Sequence, residues 1–306
     1  MSLNLKPLSE QVIVITGASS GIGLATGLAA VNAGARVVLA ARSPQALGAL
    51  RSQFGAQAIT VEADVSDFAH VQAIAAAAIA QFGRIDTWVN NAGLSVYARV
   101  DEIGLGDARR LFDVNYWGVV HGSLVALPHL RQHGGALINV GSEASEATIP
   151  LQVMYSASKH AVKAFTDGLR MELEADKAPV SVTVVEPTAV DTPFPEHAGN
   201  YLSQEPKLPT PMIDPEKVAS AILEVAATPK SVVRVGAMAI LNTTVAKALP
   251  AVGEAMAKMQ MGRQQRDEPP RTREGTLYRP GESGRVRGRG DANAADTQQA
   301  KASNTR

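Results

Sequence analysis

The chain has no cysteine, no net charge and no long uncharged apolar run. The missing cysteine excludes disulfides and thiolate metal sites. Lys plus Arg and Asp plus Glu both number 29, so the overall charge does not favour nucleic acid or anionic lipid as a partner. The first residues lack the basic and apolar parts of a secretory signal, and no apolar run reaches the roughly 18 residues of a membrane span. We therefore expect a soluble cytoplasmic protein with no transmembrane segment.

Short apolar runs rich in β-branched residues alternate with helical stretches along most of the chain. The runs at 12–16, 36–41 and 180–187 read VIVIT, RVVLAA and VSVTVVEP, which is typical of strands buried on both faces. The alternation predicts an α/β, doubly wound Rossmann-type parallel sheet of about seven strands with helices on both faces, in a single domain over 1–262. One helix is expected from about Leu105 to Leu130. Ligands of such folds bind outside the carboxyl ends of the strands.

Three segments depart from this alternation. Residues 193–215 contain six prolines and no clear period, which predicts a functional loop that closes over a substrate. Residues 237–261 are apolar with few charges and predict a helical segment. It could pack on the core, on a second subunit or on a membrane surface, and we favour these in that order. Residues 263–306 are rich in Pro, Gly, Arg, Asp and Gln, which predicts a disordered tail.

A glycine-rich turn follows the first predicted strand. The sequence TGASSGIG places Gly17, Gly21 and Gly23 between that strand and the first helix. Glycines let the backbone turn sharply and approach a pyrophosphate, whose charge the helix N-terminus stabilises. The spacing therefore predicts a nucleotide site, and the alternative is a plain tight turn.

The second strand ends in LAARS, so Ala41 stands where an NAD site would carry an acidic residue, and Arg42 follows it. A guanidinium can bind a phosphate through two parallel hydrogen bonds, and no carboxylate at that position would repel the phosphate. This pattern favours NADP over NAD. The alternative is an ordinary exposed arginine.

The sequence YSASK places Tyr155 and Lys159 four residues apart, on one face of a helix. A free tyrosine has a pKa near 10, and a neighbouring ammonium would lower it and favour the phenolate. The pair is a candidate for acid–base catalysis. A solvent-facing tyrosine and lysine are the alternative.

Together these motifs, in their order and spacing, resemble the classical short-chain dehydrogenase/reductase family over about residues 10–240. The further motifs are DVSD with Asp64 and Val65, NNAG at 90–93, Asn115 in FDVNYWG, Ser142 placed 13 residues before Tyr155, and EPTAVDTP at 186–193. Two positions depart from the family pattern, since Thr188 replaces a glycine and Gly141 precedes Ser142 where many members have serine. Neither departure removes a reacting group.

The resemblance implies roles for individual residues. Tyr155 would be the acid–base group, Lys159 would bind the cofactor ribose, and Ser142 would orient the substrate oxygen. Asn115 would hold a water that relays protons. The cofactor residues implied by the family are Gly17, Ser19, Ser20, Gly21, Ile22, Gly23, Arg42, Asp64, Val65, Asn91, Ala92, Gly93, Tyr155, Lys159, Pro187, Val190 and Thr192, and no residue is assigned to a metal. For Asn91 a structural role beside Asn90 is the alternative that we favour.

The function that follows is an NADP(H)-dependent oxidoreductase acting on a secondary alcohol or carbonyl compound. Apolar residues of the predicted lid, including Phe194, Leu202, Leu208 and Met212, favour a hydrophobic substrate. A non-catalytic protein that senses NADP(H) is the main alternative. An epimerase or dehydratase acting on a nucleotide-sugar is less favoured, because the chain has no room for a large sugar-nucleotide domain. By family likeness we expect a homodimer or homotetramer.

Overall fold

The central sheet is built from short apolar strands, of which the inner ones are almost fully buried and the two edge strands only partly buried. The computed structural model describes residues 3–281 and 284–289. The strands are β1 Val12–Thr16, β2 Arg36–Ala41, β3 Ala58–Glu62, β4 Thr87–Asn90, β5 Val96–Tyr97, β6 Gly135–Val140, β7 Val180–Pro187, β8 Gly199–Asn200 and β9 Val232–Val235. Within the described residues they form a seven-stranded parallel sheet in the order β3-β2-β1-β4-β6-β7-β9 and a small β5-β8 pair. The predicted doubly wound fold is confirmed.

Helices cover both faces of the sheet. They are α1 Gly21–Asn32, α2 Pro44–Phe54, α3 Phe68–Phe82, α4 Leu105–Phe112, α5 Gly118–His133, α6 Val153–Ala175, α7 Phe194–His197, α8 Pro215–Ala227, α9 Ala237–Ala248 and α10 Pro250–Gln260. One apolar cluster joins a sheet face to α3, α4, α5 and α6, and a second joins the opposite face to α1, α2 and α8. Helix starts follow local chemistry, since Ser43 and Asp67 accept hydrogen bonds from first-turn amides of α2 and α3.

The helix expected from Leu105 to Leu130 is interrupted. Asp113–Trp117 forms a π-helical turn between α4 and α5. An extra residue in a helical turn changes the direction of the side chains around it, and such turns are frequent at functional sites. Apolar periodicity did not reveal this turn, because the residues on both sides keep a helical pattern.

The described part of the tail differs from the predicted disorder. Gln264 and Leu277 are buried, and Val286 packs on the cluster that contains α1 and α8. Composition suggested disorder because this segment has too few apolar residues to form a core alone. It folds instead on the surface of the domain, which supplies the missing apolar partners. The folded unit therefore extends beyond residue 262. The rest of the predicted tail, 282–283 and 290–306, lies outside the described residues.

The predicted lid and the apolar segment both lie beside the carboxyl ends of the strands. The lid contains α7 and β8, and β8 pairs with β5. The apolar segment forms α9 and α10, and Pro250 begins the second of these helices. Large apolar side chains on the outer side of this helical pair are exposed, including Ile240, Leu249 and Met259.

Candidate active site

A cleft of about 640 Å³ opens at the carboxyl ends of the strands. Every predicted site residue lines it except Gly23 and Asn115. The predicted residues in its wall are Gly17, Ser19, Ser20, Gly21, Ile22, Arg42, Asp64, Val65, Asn91, Ala92, Gly93, Ser142, Tyr155, Lys159, Pro187, Val190 and Thr192. Motifs spread over more than 170 residues of sequence therefore meet in one cavity.

The glycine turn is shaped by close backbone packing. Gly17 has a φ of +65°, and a Cβ at Gly23 would lie 2.3 Å from the Gly17 carbonyl oxygen. Asn91 Nδ2 donates to the carbonyls of Thr16 and Gly17 at 2.9 and 3.2 Å. Gly23 is thus required for packing behind the cleft wall, and Asn91 braces the turn from the β4 side.

The start of α1 suits an anionic group. Its N-cap residue, Ser20, makes no side-chain hydrogen bond to the first turn. The first amides of a helix have no partner within the helix, and they carry its positive dipole end. A pyrophosphate fits this position, with Thr192 from the loop after β7 packed against Gly21.

Arg42 extends from the end of β2 toward Asp64 and the C-terminal segment. Its Nη1 lies 3.9 Å from Asp64 Oδ2. Nη1 and Nη2 donate to the backbone carbonyls of Leu277 and Thr276 at 3.1 and 2.5 Å. Arg110 of α4 also binds Asp64, and its Nε donates to the Leu277 carbonyl at 2.8 Å. Two guanidiniums therefore converge on one backbone oxygen of the tail.

Tyr155 and Lys159 lie on one face of α6, as the spacing predicted. Lys159 Nζ is 5.7 Å from the centroid of the Tyr155 ring and donates to the Val140 carbonyl at 2.8 Å. The Phe194 ring of α7 packs on Tyr155, with 5.5 Å between the ring centroids. A residue of the predicted lid thus packs directly on the tyrosine ring.

Burial controls the protonation of this pair. It raises the pKa of Tyr155 to about 12, while a hydrogen bond with Ser142 lowers that pKa and the charge of Glu143 raises it. Burial also lowers the pKa of Lys159 to about 8. The expected lowering of the tyrosine pKa by Lys159 is not seen, because the ammonium is directed to the Val140 carbonyl. In this state Tyr155 is a proton donor.

Asn115 lies in the π-helical turn and is fully buried. Its Oδ1 accepts from the Leu94 amide at 2.7 Å, and its Nδ2 donates to the Leu94 carbonyl and to Ser158 Oγ at 2.9 and 3.0 Å. The side chain thus ties the loop after β4 to α6. It supports the catalytic helix from behind the cleft.

Glu143 was missed by the sequence reasoning, although it directly follows Ser142. It is only 8% exposed and lines the cleft. Its Oε2 accepts from Thr188 Oγ1 at 3.1 Å and from Asn242 Nδ2 at 2.9 Å. Burial raises the pKa of this carboxyl. Its Oε1 has no hydrogen-bond partner in the described structure and remains accessible. Its position directly after the candidate catalytic Ser142 was the sequence signal that could have identified it as a site residue.

The remaining wall of the cleft is largely apolar. Of the predicted lid residues, Phe194, His197 and Leu208 line it, whereas Leu202 and Met212 do not. Tyr201 instead donates to Asp107 of α4 at 2.8 Å. Side chains from the helical pair complete this wall, namely Val245, Ala246, Pro250, Met256 and Ala257. The outer part of the cleft therefore suits a hydrophobic molecule.

The described residues offer neither a metal site nor a membrane span. They contain no group of three His, Asp or Glu side chains arranged to hold a metal. No helix in the described ranges is both long and apolar enough to span a bilayer.

The family profile described as short chain dehydrogenase matches residues 11–200. The chain is 42% identical to the "Uncharacterized oxidoreductase YxnA" of Bacillus subtilis over 287 residues, which cover 91% of this chain and 81% of that protein. A match of this length must include part of the tail after residue 262. The chain belongs to the short-chain dehydrogenase/reductase family. It is an oxidoreductase that acts on CH–OH groups with NAD(P).

Solved structures of similar proteins have the same fold. A short-chain dehydrogenase/reductase from Burkholderia phymatum in complex with NAD has a TM-score of 0.72 and 28% identity, covering 81% of this chain and 96% of its own. A short-chain dehydrogenase from Burkholderia cenocepacia in complex with NADP has a TM-score of 0.69 and 28% identity, covering 84% and 99%. Because one neighbour holds NAD and the other NADP, the likeness does not distinguish the cofactor of this chain.

Proposed function

We propose that this protein is an NADP(H)-dependent oxidoreductase that interconverts a hydrophobic secondary alcohol and its carbonyl form. The observation that carries the proposal is the meeting of Ser142, Tyr155 and Lys159 with the glycine turn in one cleft. When bound, the nicotinamide supplies or accepts the hydride. The chain's own residues position the substrate and move the proton.

Tyr155 acts as the general acid in carbonyl reduction. Its raised pKa keeps the hydroxyl protonated at neutral pH, so it can donate to the substrate oxygen as negative charge develops there. The Ser142 hydroxyl provides a second hydrogen bond to that oxygen. Lys159 binds the ribose hydroxyls and keeps a positive charge near the tyrosine, which assists the reverse direction.

NADP(H) is supported over NAD(H) by Arg42 at the end of β2 and by Ala41 before it. No acidic side chain stands at the end of β2 itself, where it would bind the ribose 2′-hydroxyl of NAD, and the nearby Asp64 is paired with Arg42 and Arg110. We assign binding of the cofactor pyrophosphate to the Gly17–Gly23 turn and binding of the nicotinamide carboxamide to Thr192. A cytoplasmic location and a homodimeric or homotetrameric assembly stay predictions from the sequence.

Glu143 adds a polar feature to the substrate site. Glu143 lines a cleft whose outer wall is apolar and directly follows Ser142 in sequence, and the hydrogen bonds that the described residues make to its carboxyl are both to Oε2. A buried carboxyl without a full set of partners favours a ligand that supplies a donor. We therefore assign to the enzyme a hydrophobic alcohol or ketone that carries a hydroxyl or amine near the reacting carbon.

NADPH oxidation over a panel of carbonyl compounds tests the activity. Tyr155→Phe is expected to lower kcat by about 100-fold or more, with the Kd for NADPH within threefold of the wild type. Tyr116→Phe is the matched control, because it removes the same hydroxyl outside the cleft and is expected to keep full activity. Tight NADPH binding without turnover of any compound would favour the non-catalytic sensor instead. A preference for NADH would contradict the role of Arg42 and leave that of Tyr155 intact.

A further inference from the structure

The C-terminal strap, residues 276–281 and 284–289, lies over the nucleotide end of the cleft. Thr276, Pro280 and Gly281 are part of the cleft wall. The carbonyls of Thr276 and Leu277 accept from Arg42 at 2.5 and 3.1 Å. These donors are the ones that a cofactor 2′-phosphate would use. The strap therefore meets the residue on which the NADP preference depends.

A second contact joins the strap to the glycine turn. The amide of Gly21 donates to the Arg285 carbonyl at 3.0 Å, and the amide of Gly284 donates to the Ser19 carbonyl at 2.8 Å. Gly288 packs so closely on the loop after β7 that a Cβ would lie 2.6 Å from the Thr192 oxygen. The strap thus uses hydrogen-bonding groups at two separate positions of the nucleotide site.

The two halves of the strap are held differently. Leu277 is fully buried in the core cluster beside α4. The second half is held by exposed ion pairs and by the partly buried Val286. Arg285 pairs with Glu196 at 2.7 Å, and Arg287 pairs with Asp214 and Glu216 at 2.7 and 2.9 Å. Exposed ion pairs contribute little stability. This half can therefore be released without unfolding the domain.

We propose that the strap is an autoinhibitory element of the nucleotide site: its first half occupies the Arg42 donors, and its second half occupies the Gly21 amide where a pyrophosphate would bind. The inference rests on the proposed NADP(H) function. Carbonyl oxygens and phosphate oxygens both accept hydrogen bonds and carry negative charge, so they compete for the same Arg42 donors. The Asp64 carboxylate, 3.9 Å from Arg42, adds repulsion. Because the releasable half lies at the Gly21 amide, a nucleotide must displace it whether or not it carries a 2′-phosphate.

Binding of 2′,5′-ADP and of 5′-AMP measures this competition without turnover. Calorimetry on the full chain would compare the wild type, the Arg285→Ala/Arg287→Ala double variant and an Arg279→Ala control. Arg279 is an exposed arginine of the same strap. We expect the double variant to bind both 2′,5′-ADP and 5′-AMP about tenfold more tightly, with the affinity of the control unchanged. Loss of two positive charges alone would weaken phosphate binding, so the expected change has the opposite sign.

Trypsin cleavage provides a second readout in the wild-type chain. We expect both 2′,5′-ADP and 5′-AMP to accelerate cleavage after Arg285 and Arg287, because both displace this half of the strap from the Gly21 amide. Protection by both nucleotides, with weaker binding of both in the double variant, would mean that the strap is a clamp and would overturn the proposal. Equal 2′,5′-ADP affinity in all three proteins would also overturn it, while leaving the NADP(H) function standing. No 2′,5′-ADP binding by any of them would remove Arg42's assigned role, and with it the basis of both proposals.

Discussion

The role of Glu143 distinguishes a purely apolar substrate site from one in which a carboxyl group also binds the substrate. Its Oε2 is occupied by Thr188 and Asn242, and its Oε1 is left for a ligand. We predict that Glu143→Gln lowers kcat/KM about 10-fold or more for a ketone that carries a neighbouring hydroxyl or amine. For the matched ketone without that group the change should stay within about threefold.

The measurement is steady-state NADPH oxidation with each ketone pair. Glu254→Gln is a suitable control, since this glutamate also lines the cleft but lies on the outer helix α10. Equal losses for both ketones of a pair would show that Glu143 shapes the loop around Ser142 and does not read the substrate.

Lys159 provides a prediction about pH. Because burial lowers its pKa to about 8, the ammonium loses its proton above that pH. We expect NADPH affinity to fall as pH rises through about 8, since the ribose then meets a neutral amine. In Lys159→Arg the guanidinium stays charged, so the fall in affinity should disappear from this range even where the rate is lower. The readout is the Kd for NADPH between pH 6.5 and 9.5. An unchanged profile in the variant would assign the titration to another group.

At the scale of elements, Asn115 connects three parts of the fold. Its hydrogen bonds to the Leu94 backbone and to Ser158 are all buried. Removing a buried side chain that satisfies several polar groups leaves those groups unpaired. We predict that Asn115→Ala lowers the free energy of unfolding by about 2–4 kcal/mol. Urea denaturation with Asn32→Ala as an exposed control, expected within about 0.5 kcal/mol of the wild type, checks this value. A loss of activity without loss of stability would instead favour the water-relay role.

Elements differ in how far the sequence predicts them. The strands and the Gly17–Gly23 turn were predictable, because buried β-branched runs and fixed glycine spacing are local signals. The π-helical turn at Asp113–Trp117 was not, because the residues on both sides of it keep a helical apolar pattern. The strap was also missed: Leu277 and Val286 are too far apart to form an apolar pattern, and their partners lie elsewhere in the chain. Predictions from the local apolar pattern therefore fail for segments whose packing partners are distant in the sequence.

Across the whole molecule, a buried charge network lies beneath the substrate side of the cleft. Glu186 at the end of β7 is fully buried, and neither of its oxygens has a hydrogen-bond partner within the described structure. Arg234 of β9 lies 3.3 Å from it and also pairs with Glu146, which Lys247 of α9 contacts. The network therefore connects the sheet edge to the helical pair that walls the cleft.

Glu186 makes the stability of the protein depend on pH. Burial, followed by the charge of Glu146, raises its pKa from 4.5 to about 7. A raised pKa means that the folded state binds the proton more tightly than the unfolded state. Its contribution to stability is therefore complete below pH 4.5 and is lost as pH rises through about 7. We predict that Glu186→Gln removes this loss, so that the variant gains about 1–3 kcal/mol relative to wild type between pH 5 and 8.

Urea unfolding of both proteins at pH 5, 6, 7 and 8 measures this difference. Comparing the two proteins at each pH cancels the titration of distant groups that they share. Glu146 acts on Glu186 through its charge, but it stays ionised at these pH values, because, against the effect of burial, Lys247 and Arg234 hold its pKa below the usual value. Glu224→Gln, at an exposed ion pair with Lys230, should differ from wild type by the same small amount at every pH. If the Glu186→Gln difference were also constant with pH, Glu186 would be ionised throughout, and Arg234 would have to compensate its charge completely. A stability difference between Glu186→Gln and wild type that grows with pH therefore means that Glu186 is buried in its protonated form. A difference that does not change with pH means that it is buried in its ionised form.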